Sequence, residues 1–147
     1  MGVTNFDEYR DVFVVADTID DVVHPVTYEL IGQARRIAKE LGQLVQVMLL
    51  GENVQSEAEE LVAHGADIVH VFESPLLKYY TTDGYTKVLT DFFEDHKPNI
   101  LLIGATNNGR DLAPRMSGRM KNGVVADCTI LTVDTEEVLV EWTRPAL

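Results

Sequence analysis

The chain has 147 residues, 12 Lys+Arg against 24 Asp+Glu for a formal charge of −12, and 46% hydrophobic residues. These figures predict one globular domain with a single core and exclude a chain disordered by composition. The acidity excludes a general nucleic-acid binder, which needs a cationic surface to displace phosphate counterions. Cys128 is the lone cysteine, so there is neither an intrachain disulfide nor a cysteine cluster for zinc, and a reducing, cytoplasmic location is expected. The polar start, Met1 to Arg10, and the lack of any 18-residue apolar window predict neither a signal peptide nor direct membrane insertion.

Val12 to Ala16 is apolar at every position, as suits a strand covered on both faces. From Pro25 to Leu41, apolar residues recur at three- and four-residue steps, and Gly42 stands where a helix C-cap is expected. Leu44 to Leu50 reads as a second strand closed by Gly51. Ser56 is the expected cap of a short helix to Ala63, with Ile68 to Phe72 as the next strand. Tyr85, Val88, Leu89, Phe92 and Phe93 fit the helical template, with Thr82 or Asp83 as cap. Asn99 to Ile103 is a fourth buried strand, stopped by Gly104-Ala105-Thr106. A last helix is expected over 111–121, because Pro114 suits a helix's first turn and so places the cap near Asp111. Thr129 to Val133 and Val138 to Trp142 flank a polar turn and predict a strand pair.

Strands alternating with helices require crossovers. The prediction is a three-layer α/β fold, Rossmann-like, with a mainly parallel sheet, helices on both faces and a C-terminal strand pair. Ligands in such sheets bind at the carboxyl ends of strands where the winding reverses. The loops of interest are therefore 17–24 and 104–111.

The second loop is the richer. Gly104 and Gly109 permit close backbone approach, and helix N-termini offer N–H groups to anions. Arg110, Arg115, Arg119 and Lys121 gather four of the twelve basic residues, opposed there only by Asp111. This is a candidate anion or partner site, with a solvated basic face as the plainer alternative. It lacks the Lys-Ser/Thr pair of a phosphate-binding P-loop and is no G-x-G-x-x-G fingerprint, so ATP hydrolysis is unsupported. His24, His64, His70 and His96 lack metal-ligand spacing and suit capping or surface roles. Asp17, Asp20 and Asp21 are placed to cap the following helix or to touch a ribose. No nucleophile or acid–base pair accompanies Arg110 and Asp111, which leaves an enzyme as the weakest reading.

Several stretches together carry a family resemblance: His24-Pro25 through Ala34, Ala63-His-Gly-Ala-Asp67, Tyr80 through Thr86, Gly104-Ala-Thr-Asn-Asn-Gly-Arg-Asp-Leu-Ala-Pro-Arg115, and Thr143-Arg-Pro-Ala146. In this order they resemble the alpha subunit of electron-transfer flavoproteins, over nearly the whole chain. The resemblance implies the N-terminal domain alone (1–147), of the adenine-nucleotide alpha-hydrolase-like fold, without the C-terminal domain to which the family's tightly bound FAD belongs. It implies a heterodimeric electron carrier in which this domain docks a beta subunit, with dehydrogenases or other oxidoreductases as redox partners. It further implies a non-catalytic role in which Gly104, Ala105, Thr106, Gly109 and Arg110 help shape a flavin or nucleotide site. In flavin-bifurcating relatives the T-R-P arginine, here Arg144, points towards the beta subunit's flavin, where a guanidinium can hydrogen-bond the ring and stabilise its reduced anion. The alternative is a stand-alone adenine-nucleotide-binding domain of the stress-protein type.

Overall fold

The structure, a computed structural model, describes residues 10–104 and 106–119 and the backbone of 131–133 and 138–142. In chain order the elements are β1 (Val12–Val15), β2 (Thr18–Ile19), β3 (Val22–Val23), α1 (Pro25–Leu41), β4 (Val45–Gly51), α2 (Gln55–Ala63), β5 (Ile68–Glu73), a single 3-10 turn (Pro75–Leu77), α3 (Thr82–Asp95), β6 (Ile100–Gly104), α4 (Asn107–Arg119), β7 (Leu131–Val133) and β8 (Val138–Trp142).

Four parallel strands run in the order β5-β4-β1-β6, and β8 and β7 extend the sheet antiparallel beyond β6. The three-layer, mainly parallel arrangement is the predicted one. Alternation along the central strand explains the layers: Val12 and Val14 pack with Leu30, Ile31 and Ala34 of α1, whereas Phe13 and Val15 pack with Leu89 and Phe93 of α3 and Met116 of α4. Both sets are buried, so a run without polar positions is what a strand covered on both faces requires.

Three helix starts differ from expectation. α4 begins at Asn107, four residues before Asp111, and Pro114 lies inside it. Thr106 supplies the cap: its hydroxyl accepts from the Gly109 N–H at 3.1 Å and its carbonyl from the Arg110 N–H at 2.8 Å. That cap, with burial of Leu112, Ala113 and Met116, outweighs the hydrogen bond that the proline ring cannot donate. α2 starts after Val54 with no side-chain cap of its own; Glu73, from the end of β5, accepts from the Val54 N–H at 2.9 Å instead. α3 is capped by Thr81, whose hydroxyl accepts from the Gly84 N–H.

The loop after β1 holds a hairpin that the sequence did not announce, β2 against β3 with Ile19 opposite Val22. Its two turn residues, Asp20 and Asp21, have φ of 51° and 64°, as a two-residue turn matching strand twist demands. Aspartate tolerates this region less readily than glycine. Asp21 recovers stability by accepting from the Glu52 and Asn53 N–H groups at 2.9 and 3.2 Å, beyond the end of β4.

Candidate functional site

β1 lies between β4 and β6, and the winding reverses there. The loops leaving β1 and β6 diverge at this point, opening the crevice where ligands sit in this class of sheet. Asp17 and Thr106 meet across it: the Thr106 hydroxyl donates to the Asp17 carboxylate while accepting from Gly109. Asp17 is itself held by its own N–H, which donates to the Thr27 hydroxyl at 3.0 Å. One threonine thus ties the end of β1 to the start of α4.

The narrow slot between these loops is lined by Asp17, Tyr80, Tyr85, Gly104, Asn108 and Leu112, among others. It has room for about one water molecule. Gly109 closes its floor, because a Cβ there would lie 1.8 Å from the Gly104 carbonyl oxygen. Gly104 in turn faces Val26 at the start of α1, where a Cβ would stand 3.0 Å from a methyl group. Both glycines are explained by backbone and side-chain packing.

A second set of bonds joins α3 to α4. The Tyr80 and Thr82 hydroxyls both donate to the Asp111 carboxylate, the former at 2.8 Å, and Arg115 pairs with Asp83. Asp111 is thus an acceptor between helices rather than a helix cap. The Thr82 bond and then the Tyr80 bond hold its carboxyl below the usual carboxylate range. Burial pushes the Tyr80 phenol up to about 12. A carboxyl whose folded value is lowered adds stability that is complete above its unfolded value of about 4 and disappears as the pH falls through the lowered folded value. Acid titration of Asp111→Asn is therefore expected to show a shallower loss of stability below pH ~4 than the parent chain; superimposable curves would remove this bond pair from the acid response.

The structure separates the sequence-predicted residues into two groups. Gly104, Thr106, Gly109 and Arg110 surround the carboxyl end of β6, with Arg110 exposed and engaged in a contact of its own. Ala105, Lys121, Cys128 and Arg144 lie outside the described residues. β8, which precedes Arg144, ends at Trp142 opposite Ile100, at the far end of β6 from Gly104. The basic run is not one cationic face, since Arg115 is paired and Asp111 lies within it. Of the histidines, the His24 ring caps α1 by accepting from the Val26 N–H at 3.0 Å, and His64 and His96 stand at the ends of α2 and α3. His70 differs: it is half-buried on β5, 2.6 Å from the Gln46 amide oxygen, and burial, then His96, lowers its pKa. Sequence reasoning missed Tyr80 and Tyr85 as slot-lining groups, because only the fold brings their helix lead-in over the crevice.

The described residues do not fit a flavin dinucleotide. The slot is too small for one, the Thr106 and Tyr80 hydroxyls are bonded within the protein, and Asp17 puts a carboxylate in the lining where a diphosphate would require donors. Among the described residues no group of three His, Cys, Asp or Glu side chains is arranged to hold a metal ion, and no helix is long and apolar enough to cross a membrane.

A family model for the electron transfer flavoprotein domain matches residues 12–146. The chain belongs to that family. It is 46% identical over 140 residues to the electron transfer flavoprotein subunit alpha of Megasphaera elsdenii, covering 95% of this chain and 41% of that protein. It is 46% identical over 138 residues to the lactate dehydrogenase (NAD(+),ferredoxin) subunit LctC of Acetobacterium woodii, covering 94% and 33%. To protein FixB of Clostridium saccharobutylicum it is 43% identical over 142 residues, covering 97% and 42%. The chain thus spans a third to two fifths of these relatives. The family match and the name of the Megasphaera elsdenii relative bear out the alpha-subunit resemblance, and in this electron transfer flavoprotein domain the G-A-T-N-N-G-R-D-L-A-P-R stretch gives the end of β6, the Thr106 cap and the first two turns of α4.

Proposed function

We propose that this chain is the N-terminal domain of an alpha subunit that docks a beta subunit and helps shape a flavin site in a heterodimeric electron carrier. The observation that carries this reading is the match to alpha subunits along nearly the whole chain. The poor fit of the described crevice to a flavin supports a docking role over a holding one. FAD then belongs to the complete heterodimer, and electrons pass between its flavins and dehydrogenase or oxidoreductase partners. In this reading the domain contributes no catalytic acid, base or nucleophile to the carrier. The likeness to a lactate dehydrogenase (NAD(+),ferredoxin) subunit supports a bifurcating assembly.

Arg144, two residues beyond β8, is assigned to the partner's flavin. A guanidinium stays charged and donates hydrogen bonds in a planar fork, so it favours the reduced, anionic ring. In the heterodimer, Arg144→Ala is expected to shift the beta-subunit flavin's spectrum and lower its reduction potential while the alpha-subunit FAD is nearly unchanged, because such bonds act at contact distance. Lysine should restore only part of the potential. Potentiometric titration separates the two flavins; unchanged potentials for both, in an assembled complex, would leave Arg144 with no role at the flavin.

A further inference from the structure

A larger open space lies at the other end of the sheet. Arg35, Arg36 and Lys39 of α1, Gly65 and Asp67 of the turn before β5, and Val45 at the start of β4 line a groove of about 360 Å³. That volume is within the ~300–1,000 Å³ of small-molecule sites, whereas the slot beside Asp17 holds about one water. Val45 opens β4 and Asp67 directly precedes β5, so the groove sits at the amino ends of these strands, opposite the crevice at Asp17 and Gly104.

Its charge is opposite to that of the chain. Arg35 and Lys39 are four residues apart on α1 and Arg36 and Lys39 three apart, spacings at which like charges face each other and destabilise a helix. Nothing local offsets this. Among the described residues neither Arg35 nor Lys39 has an ion-pair partner, and Arg36 donates to the Gln33 amide oxygen, in a chain with 24 acidic residues against 12 basic ones. Asp67, the one carboxylate in the lining, is turned to the backbone, accepting from the Val45 N–H at 2.8 Å. The lining keeps two net positive charges. The cations are not needed to satisfy the last carbonyls of α1 either, since the Gly42 and Gln43 N–H groups donate to those of Ala38 and Lys39. Gly65 makes room for Arg35: its φ is 120°, a value side chains rarely adopt, and a Cβ there would stand 2.4 Å from Arg35 Cδ and from a guanidinium nitrogen. Arg35 thus lies along the opposite wall of the groove. Like charges gathered beside a cavity, with no compensation inside the fold, mark a site that something else completes.

We propose that this groove binds a compact small-molecule polyanion, with two or more negative charges carried on phosphate or carboxylate groups, held by Arg35, Arg36 and Lys39. The planar guanidinium forks match either group in pairs of parallel hydrogen bonds, and Lys39 adds a point charge. No aromatic side chain lines the groove, so nothing stacks a base, and the ligand is a compact anion rather than a nucleotide. The site is separate from any flavin and independent of subunit docking.

The test is calorimetric titration of the chain, free of divalent cations, with two probes, inorganic pyrophosphate and citrate. At least one is expected to saturate with a Kd of about 1 mM or below and to raise the melting temperature; the tighter of the two assigns the groove to phosphates or to carboxylates. Arg35→Gln together with Lys39→Gln is expected to weaken that probe at least about tenfold, while the unliganded variant melts no lower than the parent because a like-charge pair is gone. Arg35→Lys keeps the charge but not the fork and should lose several-fold. Lys78→Gln with Lys87→Gln removes the same net charge at lysines already paired with Glu52 and Asp91, and should leave Kd as it was. Saturation by neither probe overturns the site. So does undiminished binding in the Arg35–Lys39 variant, or an equal loss in the Lys78–Lys87 variant, which would make the effect one of overall charge.

Discussion

Replacing Gly109 by alanine is expected to destabilise the domain by about 2–3 kcal/mol, although alanine is the better helix former by ~1 kcal/mol. The sign is set by one contact. A Cβ at this position would lie 1.8 Å from the Gly104 carbonyl oxygen and 3.2 Å from an Ile103 methyl group, and the carbonyl belongs to backbone that cannot rotate away. Either α4 lifts off the end of β6 or the β6 exit distorts, and both open the core beneath Leu112 and Met116. Gly118, in the same helix, meets nothing within 4 Å, so Gly118→Ala should instead gain up to ~1 kcal/mol. Urea unfolding of the pair reads both signs: opposite shifts are expected, and stabilisation by both would mean that α4 does not need this close approach. Because Gly109 is required for packing, a loss of partner binding in its variants is not by itself a sign of ligand contact.

Thr106→Val carries the second large effect, a loss of about 2 kcal/mol. Valine keeps the shape but removes an oxygen that both accepts from the Gly109 N–H and donates to Asp17. The helix loses its cap and a half-buried carboxylate loses a donor. Serine keeps the hydroxyl and should recover most of the stability. Thermal unfolding is expected to show a fall of roughly 4–8 °C for valine and a much smaller one for serine; equal losses would make the methyl group, rather than the hydroxyl, the reason for threonine here.

Much of this architecture was legible because burial writes directly into composition. A strand covered on both faces has little room for polar residues: Val12 to Ala16 and the run before Gly104 have none, and the run before Gly51 has only Gln46, which is hydrogen-bonded to Asp11 and His70. The reversal of winding at β1, and hence the location of the crevice, follows from the alternation of strands and helices together with the handedness of crossovers. What escaped depends on contacts between distant positions. Asp21 and Glu73 tie down the approach to α2 at Glu52 and Val54, from 31 and 19 residues away respectively, and no local rule for caps reports that. The β2–β3 hairpin has two residues per strand, too few for a period to register. Pro114 misplaced the start of α4 because a local preference for the first turn was weaker than a good cap at Thr106 and a buried face behind it. Gly109 read as a ligand-approach glycine because sequence shows the absent side chain but not the carbonyl that occupies its place.

The proposed reading is that the domain docks a partner and helps shape a site, and that the flavin is held by other parts of the complete carrier. The most direct measurement is the flavin content of this 147-residue chain, purified alone and dialysed, beside that of the full alpha subunit assembled with beta. A colourless chain and a flavin-loaded heterodimer are predicted. Stoichiometric FAD on the isolated chain would contradict the account, because the slot beside Asp17 and Gly104 has no room for it and the Asp17 carboxylate opposes its phosphates.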